Sequence, residues 1–149
     1  MRLADVLTPE RVSTTVSAAD KEQVLRGLAQ MFTGRDPEAV YRVFQDRELL
    51  ASTGIGSGVA IPHGRMAGLD RIEAALAICR EGVDFDAVDG LPARIFVAVI
   101  APERHTGDHL KTLARISRLL RRDDVRQSLL DAADPAMAYE VVVAGEDAP

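Results

Sequence analysis

Arg47-Glu48-Leu49-Leu50-Ala51-Ser52-Thr53-Gly54-Ile55-Gly56-Ser57-Gly58-Val59-Ala60-Ile61-Pro62-His63-Gly64-Arg65 is the stretch on which the fold turns. Gly54, Gly56, Gly58, Gly64 and Gly68 surround one short apolar piece, Val59-Ala60-Ile61, which Pro62 ends. Glycines allow turns and close backbone approach, and proline has no N–H to offer a strand ladder. The spacing predicts a short strand with His63 at its open end and room for a bulky group beside the imidazole. Upstream, Ser17-Ala-Ala-Asp20 offers a helix cap, Val24, Leu25, Leu28 and Phe32 follow at helical spacing, and Gly34 stops the helix. Asp36-Pro37 then opens a second helix with a buried stripe of Val40, Tyr41 and Phe44. Downstream come two strand candidates, Ala74–Cys79 and Arg94–Ile100, the second apolar enough to be covered on both faces. Asp108 is expected to cap a helix with a stripe of Leu110, Leu113, Ala114, Ser117 and Leu120. Asp123 and Asp134-Pro135 begin two more, inward-facing at Val125, Leu129 and Leu130, then at Met137, Tyr139 and Val141. Helices around a few short strands make an α/β layer architecture.

The 149 residues suit one domain, 1–149, with 144–149 expected as a loose tail. No internal repeat or linker interrupts it. An apolar share of 47% and a charged share of 28% describe a soluble globular chain. A net charge of −5 argues against nucleic-acid binding by bulk positive charge, and the absence of Trp leaves little for base stacking. Cys79 stands alone, which excludes an internal disulfide, a cysteine metal cluster and a CxxC redox pair; inside an apolar strand it reads as a small buried hydrophobe. No apolar run reaches the roughly 18 residues of a membrane span, and the N-terminus lacks a secretory pattern, so a cytoplasmic protein is expected.

The chain has three histidines, His63, His105 and His109. His63 lies in the glycine loop. His109 follows Asp108 in the first turn of a helix, where unpaired N–H groups and the dipole favour an anion and disfavour imidazolium. Arg47 stands just before the loop, where a guanidinium can grip a phosphoryl group in bidentate fashion. A neutral imidazole can accept a phosphoryl group, and that group needs positioned donors more than covalent help. A rival arrangement, a zinc site of His63, His105 and His109, is opposed by Gly107 and Asp108, which delay the helix start. Ile55, Val59, Ile61 and Met66 could form an apolar rim, with Val59 and Ile61 read as core. Arg115, Arg118, Arg121 and Arg122 read as a solvated helix face.

The stretch from Arg47 to Arg65 resembles the signature of the fructose/mannitol-type IIA domains (EIIA type 2) of the bacterial phosphoenolpyruvate-dependent phosphotransferase system. The resemblance continues through Phe85-Asp86-Ala87-Val88-Asp89-Gly90, Val99-Ile100-Ala101-Pro102 and His109-Leu110-Lys111-Thr112-Leu113, and runs from Leu7-Thr8-Pro9-Glu10 to the last helix. Within the family it is most similar to the nitrogen-regulatory branch. The resemblance implies a mixed β-sheet flanked by helices on both faces, in α/β/α layers. It implies a phosphotransferase with a phosphohistidine intermediate: His63 as phosphoryl acceptor, with His109 and Arg47 stabilising the phosphoryl group. The donor would be an HPr-like histidine phosphocarrier, with no metal or organic cofactor, no nucleic acid and no membrane insertion. The acceptor side stays open between a regulatory protein target and a IIB domain whose cysteine takes the phosphate in sugar transport. A pure binding module on the same fold is disfavoured by the intact Arg47, His63 and His109. His105 matches no family position and is expected on a loop outside the pocket.

Overall fold

A computed structural model describes residues 2–104 and 106–147. His105, with the loop position expected for it, and residues 148–149 lie outside the described residues. The element order is α1 (Leu3–Val6), β1 (Leu7–Ser13), α2 (Lys21–Gln30), α3 (Pro37–Leu50), β2 (Gly54–Gly56), β3 (Val59–Ala60), β4 (His63–Met66), β5 (Glu73–Val83), β6 (Ala93–Pro102), α4 (Thr106–Leu120), α5 (Asp123–Asp131) and α6 (Pro135–Asp147). Two starts are those the sequence predicts: the Asp20 carboxylate accepts from the Gln23 amide ahead of α2, and Asp36 accepts from the Glu38 amide with Pro37 in the first turn of α3.

The six strands form one mixed sheet in the order β1-β5-β6-β3-β2, with β4 also on β6. β5 runs antiparallel to β6, whereas β3 and β4 run parallel to it. Val59 stands opposite Ile95, and His63 opposite Val99, at the same offset. β3 and β4 are therefore one strand in a single register along β6, interrupted where Pro62 has no N–H to give; β2 covers the outer side of β3. Ser57 and Gly58, both at positive φ (57° and 79°), make the tight turn from β2 into β3.

Successive residues of β5 and β6 point to opposite faces, and each face has its own core. Leu76, Ile78, Ile95, Val97 and Val99 pack with α1, α4, α5 and α6, including Ile116, Leu119, Leu129 and Val142. Ala75, Ala77, Cys79, Phe96, Ala98 and Ile100 pack with Leu25, Leu28, Val40 and Phe44 of α2 and α3. Helices thus flank the sheet on both faces, as expected. Val59 and Ile61 belong to the core, and Cys79 is fully buried.

The structure corrects the sequence in four places. The 144–149 tail is helical through Asp147, because Gly145 is buried and Glu146 accepts hydrogen bonds from the Leu3 and Ala4 amides at the start of α1. α4 begins at Thr106, so Asp108 lies inside the first turn instead of capping it. The inward stripe of α4 is His109, Thr112, Ile116, Leu119 and Leu120, while Leu110 is 60% exposed. α6 faces inward at Ala138, Val142 and Gly145, with Met137 exposed, because only small residues fit where a Gly145 side chain would meet Leu119 at 2.8 Å. β1, β2, β4 and α1 are additional elements. Among the described residues, no helix is long and apolar enough to cross a membrane.

Candidate phosphoryl-transfer site

His63 begins β4, on the residue after the proline that interrupts the β3–β4 strand. Two backbone bonds hold the break: the Ile61 amide donates to Thr53 O (3.0 Å), and the Val99 amide donates to Pro62 O (2.9 Å). The Ile61 carbonyl is then 2.6 Å from His63 Nδ1. A carbonyl only accepts, so the neutral ring must carry its proton on Nδ1 and present its lone pair at Nε2. His63 shares a strand face with its partner Val99, a residue of the core under α4, so it points to the α4 side of the sheet.

His109 comes from that side. In the first turns of α4 it is only 5% exposed, and its ring centroid lies 5.6 Å from that of His63, tilted by 51°. Its Nδ1 is buried and has no hydrogen-bond partner among the described residues. Burial first, then the proximity of His63 and Arg65, lowers its pKa from 6.5 to about 4, so the ring is neutral at pH 7. His63 is held below its usual range chiefly by burial, helped by the Arg47 charge and opposed by the Ile61 bond and Glu48. Both imidazoles are neutral donors and acceptors facing one another.

Arg47 lies in the last turn of α3 and donates from Nη1 to Ala51 O at 3.0 Å. Close packing of α3 on β4 brings it near: a side chain at Gly64 would sit 2.4 Å from Val43 Cγ1. The structure therefore brings the three expected residues, His63, His109 and Arg47, into one region, with His63 half-buried and Arg47 on its α3 side. His105, the third member of the zinc alternative, lies outside the described residues. Among those described, no cluster of three or more His, Cys, Asp or Glu residues could hold a metal.

Two charged residues here carry weight that the sequence did not assign. Arg65 stands two positions beyond His63, on the same strand face, and its charge reaches His109. That alternation, once the strand is extended past Pro62, is the signal that would have found it. Glu48 is the other; its side chain is 5% exposed and ion-paired to Lys21 at 2.9 Å. Around the site, Leu49, Leu50, Ile55 and Leu110 are exposed apolar side chains. The arrangement can hold a compact anion beside two neutral imidazoles, with the Arg47 and Arg65 charges acting on them.

The chain is similar to several characterised proteins. The family profile described as "Phosphoenolpyruvate-dependent sugar phosphotransferase system, EIIA 2" matches residues 5–144. A "Nitrogen regulatory protein" of Bradyrhizobium diazoefficiens is 37% identical over 145 residues, covering 95% of each chain. A "PTS system fructose-specific EIIA component" of Haloferax volcanii is 34% identical over 141 residues, covering 91% of this chain and 92% of that one. Among solved structures, the nitrogen regulatory protein IIA-Ntr from Neisseria meningitidis superposes with a TM-score of 0.89 at 28% identity, over 94% of this chain and 98% of that one.

Proposed function

The chain belongs to the EIIA type 2 family of the phosphoenolpyruvate-dependent phosphotransferase system, and on that premise we propose that it is a regulatory phosphoryl carrier whose acceptor is Nε2 of His63. The donor is an HPr-like histidine phosphocarrier. As the P–N bond on the carrier breaks, a P–N bond to Nε2 forms, and the carrier's imidazole leaves with the electron pair. His109 donates a hydrogen bond to the phosphoryl oxygens, and Arg47 swings from Ala51 O to pair with them.

One observation carries this reading: the Ile61 carbonyl holds the proton on Nδ1 while Nε2 stays unprotonated beside His109, 5.6 Å away between ring centroids. A tautomer locked in that sense is a nucleophile prepared before the donor arrives. The regulatory role is supported by relatives named nitrogen regulatory proteins, which the chain covers almost end to end. The fructose-specific relative supports a second reading, a transport subunit that hands its phosphate to a IIB cysteine.

Incubation with phosphoenolpyruvate, the first enzyme of the system and an HPr-type carrier, followed by intact mass, tests the proposal. One added phosphoryl group, acid-labile and alkali-stable, is the expected result. An unchanged mass in the presence of phosphorylated carrier overturns it. Loss of the label to a fructose-type IIB domain would select the transport reading.

A further inference from the structure

We infer that Glu48 is a positioning residue for the phosphoryl site, acting through Thr53 on the backbone carbonyls that orient His63 and hold Arg47. The inference rests on the reading of His63 as the acceptor.

Glu48 occupies the last turn of α3 beside Arg47, yet the two side chains behave in opposite ways. Arg47 makes one hydrogen bond, to Ala51 O, whereas the Glu48 carboxylate is almost fully buried and four times engaged. Oε1 and Oε2 lie 3.1 and 3.2 Å from the Thr53 amide, Oε2 also accepts from the Thr53 hydroxyl, and Oε1 pairs with Lys21 Nζ at 2.9 Å. Lys21 in turn lies over the Phe85 ring, 4.6 Å from its centroid, and 3.7 Å from Asp86. A buried carboxylate persists only when its lone pairs are filled, and here they are filled by one residue and its ion partner.

What that residue does next gives the contact its reach. The Thr53 carbonyl accepts from the Ile61 amide at 3.0 Å, and the Ile61 carbonyl accepts from His63 Nδ1. Two residues before Thr53, the Ala51 carbonyl holds the Arg47 guanidinium. Fixing Thr53 therefore fixes the carbonyl that selects the His63 tautomer and the carbonyl on which Arg47 rests. α3 needs both ends of this arrangement to stay in step, and Glu48 is the clamp between them. The contact is made by reach and direction; the carboxylate touches neither imidazole.

Two substitutions separate geometry from charge. Glu48→Asp keeps the charge but shortens the arm by one methylene, so the carboxylate cannot hold Thr53. Glu48→Gln keeps the length and can still accept from the Thr53 amide, but loses the charge. Multiple-bond 1H–15N correlation spectra of the folded protein, at a pH where His63 is neutral, report which ring nitrogen carries the proton. Wild type is expected to show one tautomer, with the proton on Nδ1. Glu48→Gln is expected to retain it. Glu48→Asp is expected to show a mixture, with phosphoryl uptake slowed roughly 10- to 100-fold, the scale of a small misplacement of a reacting group. Its apparent KM for the carrier is expected to stay unchanged. A Glu48→Asp protein with the wild-type tautomer, or a Glu48→Gln protein that loses it, overturns the inference. If wild type takes up no phosphate, the proposed function fails, while the tautomer spectra still decide the role of Glu48.

Discussion

His109 owes its neutrality to the turn of α4 that carries it inward, ahead of Thr112 and Ile116, into a place where imidazolium is poorly solvated and faces His63 and Arg65. The sign of the consequence for stability follows from its pKa near 4 in the folded chain against 6.5 in the unfolded one. Between those values the unfolded chain binds more protons, so this group's contribution is complete above pH 6.5 and is lost as pH falls towards 4. His63 is displaced in the same direction. Urea unfolding across that window is expected to show a steeper loss of stability in wild type than in His109→Gln, which removes one of the two contributions. Phosphorylation of His63, as proposed, would invert the balance. A group of about −1.5 to −2 charges beside His109 favours its protonated form and raises its pKa. In carrier-coupled labelling, His63→Ala is expected to abolish uptake, since His109, the other imidazole there, is only 5% exposed. His109→Ala is expected to leave uptake possible but slower by roughly 10²–10³, the scale of losing one oxyanion donor. At this scale the sequence was informative: a histidine between a proline and a glycine, and a second near a helix start, are local patterns. Arg65 and Glu48 were not legible as partners, because their roles depend on strand parity past Pro62 and on a buried pairing with Lys21, 27 positions upstream in the chain.

Among the elements, the contact of α3 with β4 is the one that assembles the site. Gly64 faces α3, and any side chain there must displace Val43, whose backbone oxygen also lies within 3.3 Å of the position a Cβ would take. Gly64→Ala is expected to cost about 1–3 kcal/mol, as overpacking does, in thermal or urea unfolding. Slower phosphoryl uptake should accompany it, because α3 carries Arg47 and Glu48 away with it. The capped helices α2 and α3 were readable because cap, first-turn acid and apolar period are all written locally. The short strands were not. β2 and β4 have too few residues for any period to show, and they exist because β3 and β6 supply the other half of each ladder. β1 carries Pro9 and buries only Leu7 and Val12, so it looks like a loop until the edge of β5 gives it a partner. α4 was read in the wrong phase for a different reason: its inward face opens on His109 and Thr112, polar residues placed there by the site, while Leu110 is left facing solvent.

For the molecule as a whole, the sheet separates two cores, and the site lies where the interrupted β3–β4 strand meets helices from both of them. α3 belongs to one core and α4 to the other, and β4 meets α3 through Gly64 beside Val43 and α4 through His63 beside His109. The α/β class, the helices on both faces and the strand covered on both faces were visible in the sequence, since they follow from composition and the order of apolar runs. The meeting of the two faces was not, because it depends on the β3–β4 strand resuming its register after Pro62.

That resumed register makes the number of residues between Val59 and His63 a matter of odd and even. His63 and Arg65 face α4, whereas Gly64 and Met66 face α3, because β4 continues the alternation that β3 began. One residue inserted before Pro62 would exchange the two sets, turning the imidazole away from His109 and driving it into Val43, in the place Gly64 now holds. Two inserted residues would restore the facing but carry His63 about 6.6 Å along the strand, beyond the reach of its partner ring. Neither insertion is expected to support phosphoryl uptake. The spacer tolerates changes of side chain more readily than changes of count, so the histidine is addressed by arithmetic as much as by chemistry.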